Sequence, residues 1–424
     1  MMRPPNQIRD PFGLTVLLAA TFAALAFIRL RIPSSPYFDE VHYLPAARAL
    51  LDQSAWLNRE HPLLGKELMA LSIGVVGDTP LGWRILSLAA GTLTLFALCR
   101  VMWFMTCSRF ASMAAGVLLS TGFALFIQSR IAMLDVFMAC FTAVALWQVA
   151  GAMREPEAGR KRLAIAGVAL GLAMASKWNA VPLAVIPGLG FLLLRAMAGR
   201  RRLVTSRRGM PVPGITLAEA AVWLGLVPLA VYWLTFLPVY FVADQPLPIG
   251  GFLALHQQIE ALQASVTKSH PYQSRWYDWM LNIRAIWYLY EPVDGAQRGI
   301  MLIGNPLTML LGLPAMAWCA WAGITARRWD ALAIFVFYGA SMVFWMVADK
   351  PVQFYYHYLL PGCFLLGGLA LALDEFWKRG IRWLPLAVLA GSIALFIWFY
   401  PIISAAPLSG VSAFEKWMWL PSWR

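Results

Sequence analysis

Apolar runs of about 20 residues recur along this chain, and no other feature constrains its fold so tightly. A helix needs about 20 mainly apolar residues to cross about 30 Å of hydrocarbon, and it can do so because it satisfies its own backbone groups without water. Eleven candidate spans follow, at 12–30, 80–104, 109–127, 131–153, 163–177, 179–197, 217–241, 300–324, 331–348, 353–373 and 383–402. The fifth is short, so ten or twelve spans fit the same pattern. Hydrophobic residues make up 60% of the 424 and charged residues only 13%, where a soluble domain carries about 25% charged. No polar stretch is long enough to form a separate soluble unit. The expected fold class is therefore an all-α integral membrane protein, with residues 1–424 forming one polytopic domain.

The charges give the chain a direction. A net charge of +13 would suit a nucleic-acid partner, but the positions of the charges argue against one. With the N-terminus inside, the inner connections hold Arg154/Arg160/Lys161/Arg162, Arg195/Arg200/Arg201/Arg202/Arg207/Arg208, Arg327/Arg328 and Lys378/Arg379/Arg382. The short outer connections hold one cation each, at Arg130, Lys177 and Lys350. That asymmetry is the positive-inside pattern, and it accounts for the basic composition without any nucleic acid. The run from Phe12 to Ile28, after Arg3 and Arg9, continues into Arg29, Arg31 and a Pro-Ser-Ser-Pro loop. It reads as an uncleaved first span. The five cysteines form no CxxC pair and most sit in apolar runs, so neither a disulfide framework nor a cysteine metal site is expected.

Two long loops, 31–79 and 242–299, then fall outside, together with 14 of the 21 acidic residues and four of the five histidines, His42, His61, His256 and His270. Chemistry is expected on that face. The stretch His61–Val76 is apolar but too short to span, and suits a helix lying at the interface. Residues 251–264 alternate in a helical manner and suit the same role. Trp276, Trp279, Trp287, Tyr288 and Tyr290 form an aromatic cluster that reads as an interfacial belt or as a platform for sugar or acceptor.

Six short segments could carry chemistry. In Phe38-Asp39-Glu40-Val41-His42 two adjacent carboxylates follow the first span, a pattern that fits a base, metal ligands or solvated charge. His61-Pro62-Leu63-Leu64-Gly65-Lys66 lies later in the first loop. Ser129-Arg130-Ile131-Ala132-Met133-Leu134-Asp135 places Arg130 and Asp135 near a membrane boundary, where unpaired charge is costly and often functional. A snorkelling arginine is the plainer reading of Arg130. Ser176-Lys177-Trp178, His270-Pro271-Tyr272-Gln273-Ser274-Arg275-Trp276 and Phe354-Tyr355-Tyr356-His357-Tyr358-Leu359-Leu360-Pro361 complete the set. All six fall on one side of the membrane.

Taken in order, from about residue 36 to 361, these motifs resemble the protein O-mannosyltransferase family, type-C glycosyltransferases that use a polyprenyl-phosphate mannose donor. The resemblance implies the type-C membrane fold, with the catalytic carboxylates in the 31–79 loop. It implies Asp39 as catalytic base with Glu40 as its neighbour, and Arg130 at the lipid phosphate. Lys66, Lys177, Lys350 and His357 are further donor-side candidates. His42, His61, His270 and Trp276 are candidates on the acceptor or sugar side. The chain departs from the family pattern at Leu63, Met280 and Ala285, where relatives tend to carry proline, and at Lys350, near a common arginine. Residues 242–299 are too few for the lumenal MIR module of eukaryotic members. With the short termini, this implies a bacterial inner membrane with a periplasmic active site.

A phosphate leaving group needs no strong acid. It needs a base at the acceptor hydroxyl and cations for the charge left on the departing phosphate. The expected reaction is one-step, inverting transfer of mannose to Ser/Thr hydroxyls of exported proteins. No cofactor is required, although a divalent metal held by Asp39, Glu40 and His42 is an alternative to the cationic clamp. The nearest rival is a related transferase acting on lipid A or a glycan. A transporter or flippase is the rival of another class, and would show charge near mid-membrane and internal repeats.

Overall fold

The computed structural model describes residues 9–198, 202–265, 267–348 and 350–424. Arg3, Arg200 and Arg201, counted above among the inner charges, lie outside the described residues. Among the described residues, eight helices are long and apolar enough to cross a membrane: Pro80–Thr106, Leu134–Arg154, Trp178–Met197, Leu217–Leu234, Pro306–Thr325, Trp329–Val347, Tyr355–Lys378 and Trp383–Ile403. The first expected span is a shorter apolar helix, Phe12–Phe27, and the fifth is the helix Gly159–Ser176. The third is broken. Helix Arg109–Thr121 stops at Gly122, and Phe123, with φ of 67°, interrupts the helical path before a second short helix, Ala124–Gln128.

Burial separates the central helices from those at the periphery. Two-thirds of the apolar window of Pro80–Thr106 and of Leu134–Arg154 is buried inside the protein, against 17% for Leu217–Leu234. The outer helix meets its surroundings with Leu226, Leu229 and Trp233 exposed, the expected state of a lipid-facing surface. The multi-pass membrane class is thus borne out by the structure.

The expectation of an all-α chain needs one correction. Ile286–Val293 and Ala296–Leu302 pair as an antiparallel hairpin, with Val293 opposite Ala296. The two-residue connection is Asp294-Gly295, both at positive φ (49° and 75°), the backbone that a tight hairpin turn requires and that Asp-Gly favours. The segment 300–324, read as one span, therefore begins in a strand, and its helix starts only at Pro306.

The first long loop folds into two helices, Glu40–Leu51 and Leu64–Val76. The second behaves as an interfacial helix should. Leu64, Lys66, Met69 and Ile73 face the protein, while Leu71 and Val75 are exposed. Gly65 lets this helix lie against the next motif, since a Cβ there would sit 2.5 Å from Leu134 Cδ2.

Two buried arginines hold the layer beneath the loop. Arg84, fully buried in the Pro80–Thr106 helix, grips Glu40 with two hydrogen bonds of 2.8 Å and donates to the carbonyls of Leu30, Pro33 and Ser35. Glu40 accepts further bonds from the amides of Ala132 and Tyr37, at 2.9 and 3.3 Å. Arg130 donates to the carbonyls of Ala26, Ile28, Arg29 and Ser404, satisfying the open end of the first helix. Orphan carbonyls at a helix end need such partners.

Candidate active site

Asp39 stands at the start of the Glu40–Leu51 helix, directly after Phe38, which has φ of 51°. An aromatic residue rarely adopts the left-handed region, so its surroundings must hold it there. Tyr288 of the hairpin stacks on Phe38 at 4.1 Å and Tyr356 meets it edge-on at 6.0 Å. These rings turn the backbone so that the next carboxylate enters the site.

The two adjacent acids have opposite environments. Both Glu40 oxygens are spent on Arg84 and backbone amides, as above. The Asp39 carboxylate has no hydrogen-bond or ion-pair partner among the described residues. Burial pushes its pKa up to about 6, opposed by the charges of Lys177, His42 and Lys350 and reinforced by Asp135. A carboxylate that is unpaired, partly buried and titrating near neutrality has the properties of a general base.

The cations gather opposite it. Lys177 Nζ lies 2.9 and 2.8 Å from the two oxygens of the buried Asp135, and 4.9 Å from the Tyr356 ring centroid. Lys350 is pushed down to about 8 by burial, with Lys177 next in effect. His61 is held well below its ordinary value by burial and by Lys177, Lys350 and Lys66, so it is neutral. A cavity of about 250 Å³ is lined by His61, Lys177, Trp178, Asn179, Gln263, Trp345 and Lys350. The buried His357 stacks on Trp345 at 3.8 Å, and neither of its ring nitrogens has a hydrogen-bond partner among the described residues.

Several expected site residues sit elsewhere. Lys66 is fully buried and donates to the carbonyls of Asn58 and His61, at 2.6 and 2.9 Å, so it pins the loop that presents His61. Arg130 spends its terminal nitrogens on the four carbonyls named above. His42 and His270 are exposed and Trp276 is partly exposed. His270 approaches the site only through Phe354, at 5.2 Å, which in turn stacks on Tyr356. The aromatic cluster is mostly interior rather than a belt, with Trp279, Trp287 and Tyr288 all buried. Sequence reasoning gave Asp135 no role beyond its motif, and it missed Tyr288, Tyr356 and Trp345 as walls. Asp135 had a signal, a carboxylate beside a membrane boundary, but its pairing with Lys177 42 positions away did not.

The carboxylate pair is unevenly available to a divalent metal. Glu40 has no oxygen to offer without releasing Arg84, and the described residues contain no group of three or more His, Cys, Asp or Glu side chains disposed to hold an ion.

Comparison with known proteins decides the family. Residues 77–240 match the family model described as dolichyl-phosphate-mannose-protein mannosyltransferase, and residues 248–423 match the C-terminal four-transmembrane region of protein O-mannosyltransferase. This chain belongs to the protein O-mannosyltransferase family. It is accordingly a glycosyltransferase, and the transporter reading falls. Among relatives of this O-mannosyltransferase, the polyprenol-phosphate-mannose–protein mannosyltransferase of Mycolicibacterium smegmatis is 29% identical over 97% of the chain and 93% of the relative. Its namesake from Corynebacterium glutamicum is 28% identical over 92% and 88%. The fold matches the Saccharomyces cerevisiae Pmt1-Pmt2 complex bound to the sugar donor, with a TM-score of 0.82 at 14% identity, covering 99% of this chain and 93% of that one. It also matches ArnT of Cupriavidus metallidurans bound to undecaprenyl phosphate, with a TM-score of 0.57 at 17% identity, covering 87% and 62%.

Proposed function

We propose that this enzyme transfers mannose from a polyprenyl-phosphate donor to Ser/Thr hydroxyls of exported proteins, with inversion, at the periplasmic face of a bacterial inner membrane, its N-terminus being cytoplasmic. One observation carries this reading: the unpaired carboxylate of Asp39 lies within the electrostatic reach of two lysines that line one cavity, the buried Lys177 and the half-buried Lys350. The relatives, polyprenol-phosphate-mannose–protein mannosyltransferases, support mannose, a polyprenyl carrier and a protein acceptor. The charge asymmetry supports the orientation, because every long loop that builds the site lies on the side poor in short-loop cations.

Asp39 takes the proton of the acceptor hydroxyl as its oxygen attacks the anomeric carbon. The bond to the phosphate oxygen breaks on the opposite side of the sugar, which inverts the centre. The sugar passes through an oxocarbenium-like state that a carboxylate also stabilises. Lys177 and Lys350 meet the charge gathering on the departing phosphate. Asp135 holds Lys177 in place, while Glu40, locked by Arg84, fixes the turn that aims Asp39. Arg130 acts from the layer below by holding the end of the first helix.

A base must be ionised to work. With Asp39 raised to about 6, kcat/KM is expected to fall tenfold per pH unit below about 6. A flat profile between pH 5 and 7 contradicts the assignment. For the cations, Lys350→Gln is expected to raise the donor KM about tenfold, the order of one charge-assisted hydrogen bond, with the acceptor KM unchanged. Titration of donor at saturating peptide reads this directly, and a wild-type donor KM removes Lys350 from the phosphate site.

A further inference from the structure

The wall of the site is anchored from a distance. The segment 404–424 lies along the hairpin: the Leu408 amide donates to the Gln297 carbonyl at 2.8 Å, and the Tyr290 hydroxyl to the Val411 carbonyl at 2.6 Å. At its far end the indole of Trp423, which is 3% exposed, donates to the backbone carbonyl of Asn282 at 2.9 Å. Asn282 is itself buried and has φ of 56°. Its side-chain amide closes a two-way bond with the backbone of Gly304, at 3.0 and 2.9 Å, and its oxygen accepts the Tyr355 hydroxyl at 2.6 Å.

Tyr355 directly precedes Tyr356, the ring that touches both halves of the site. One side of that contact is Lys177, and the other is Phe38, the residue before Asp39. A continuous path of buried hydrogen bonds and ring contacts therefore runs from Trp423 through Asn282 and Tyr355 to the base and its facing cation. Its hydrogen-bonding members, Trp423, Asn282 and Tyr355, are too well buried for water to substitute readily for a lost partner.

We propose that Asn282 is a positioning residue through which the segment 404–424 sets the Tyr356 wall of the active site. The inference rests on the transferase reading above. Asn282 touches no reacting atom; it fixes where Tyr355, and hence Tyr356, can stand. A shift of about 1 Å in such a wall costs up to about 100-fold in rate.

The test uses two mild variants, Trp423→Phe and Tyr355→Phe. Tyr355→Phe keeps its ring and Trp423→Phe keeps a smaller aromatic ring, and each removes one hydrogen bond to Asn282. Each is expected to lower kcat about tenfold and to move the acidic limb of the pH profile below that of the wild type, because a loosened wall admits water to Asp39. A fall in the folded fraction alone lowers activity without moving that limb. The double variant is expected to lose no more than the worse single one, since both act through one residue. Amide exchange over residues 354–358 gives a readout independent of turnover, and is expected to quicken in Trp423→Phe. Unshifted pH limbs, additive losses or unchanged exchange overturn the proposal. A wild-type protein that exchanges as expected but transfers no mannose overturns the transferase reading, and with it the positioning role.

Discussion

Asp39→Asn is expected to lower kcat for mannosyl transfer about 10³-fold, the range of a lost general base, and to leave the donor KM near the wild-type value. The replacement has nearly the same shape and removes only the ability to take a proton. It breaks no bond, because the Asp39 carboxylate has no partner among the described residues. The sign of its effect on stability also differs from that of most active-site losses. Asp39 titrates at about 6 in the folded protein, above the ordinary value of 3.8, so its contribution to stability is present in acid and lost as pH rises through about 6. At neutral pH the ionised group opposes folding. The asparagine variant is therefore expected to melt at or above the wild-type temperature while being almost inactive. Transfer assays and thermal unfolding of one detergent-solubilised preparation check both halves.

Arg84→Met is expected to do the reverse. Removing one partner of a buried ion pair costs about 3–5 kcal/mol because the other charge is left without compensation, and Arg84 and Glu40 have no exposed side-chain surface at all. Arg84 also closes the loop carbonyls of Leu30, Pro33 and Ser35, so the turn that presents Asp39 loses its support. The variant is expected to unfold at markedly lower temperature. Adding Glu40→Gln is expected to recover part of the loss by removing the orphaned charge. If Arg84→Met melts like the wild type, the pair is not what holds the loop, and Glu40 returns to the list of groups free to act in the reaction.

These two substitutions sit at adjacent points of the fold and mark what the sequence could show. The spans were legible because apolar length is a local property, and the face of the chemistry was legible because charge sums over loops. By residue type alone Asp39 was one of two equivalent carboxylates, and it was the family resemblance that singled it out as the base. What separates it from Glu40 is Arg84, 44 positions away, and no local pattern announces that pairing. The carbonyl partners of Lys66 and Arg130 were hidden for the same reason, since a cation in a motif looks alike whether it faces a phosphate or a carbonyl. The hairpin was a different kind of miss. Asp294-Gly295 between strand-forming residues is a readable turn signal, but the aromatic residues before it read as an interfacial belt or a sugar platform and not as strand.

The most direct measurement is a reconstituted transfer reaction: purified protein, polyprenyl-phosphate mannose and a Ser/Thr peptide, with the product examined by mass spectrometry and by the configuration of its sugar linkage. The expected product is the peptide carrying one hexose on a Ser or Thr oxygen, inverted relative to the donor and absent with Asp39→Asn. A retained configuration, or undiminished transfer by Asp39→Asn, would contradict a mechanism in which Asp39 deprotonates the acceptor for direct displacement.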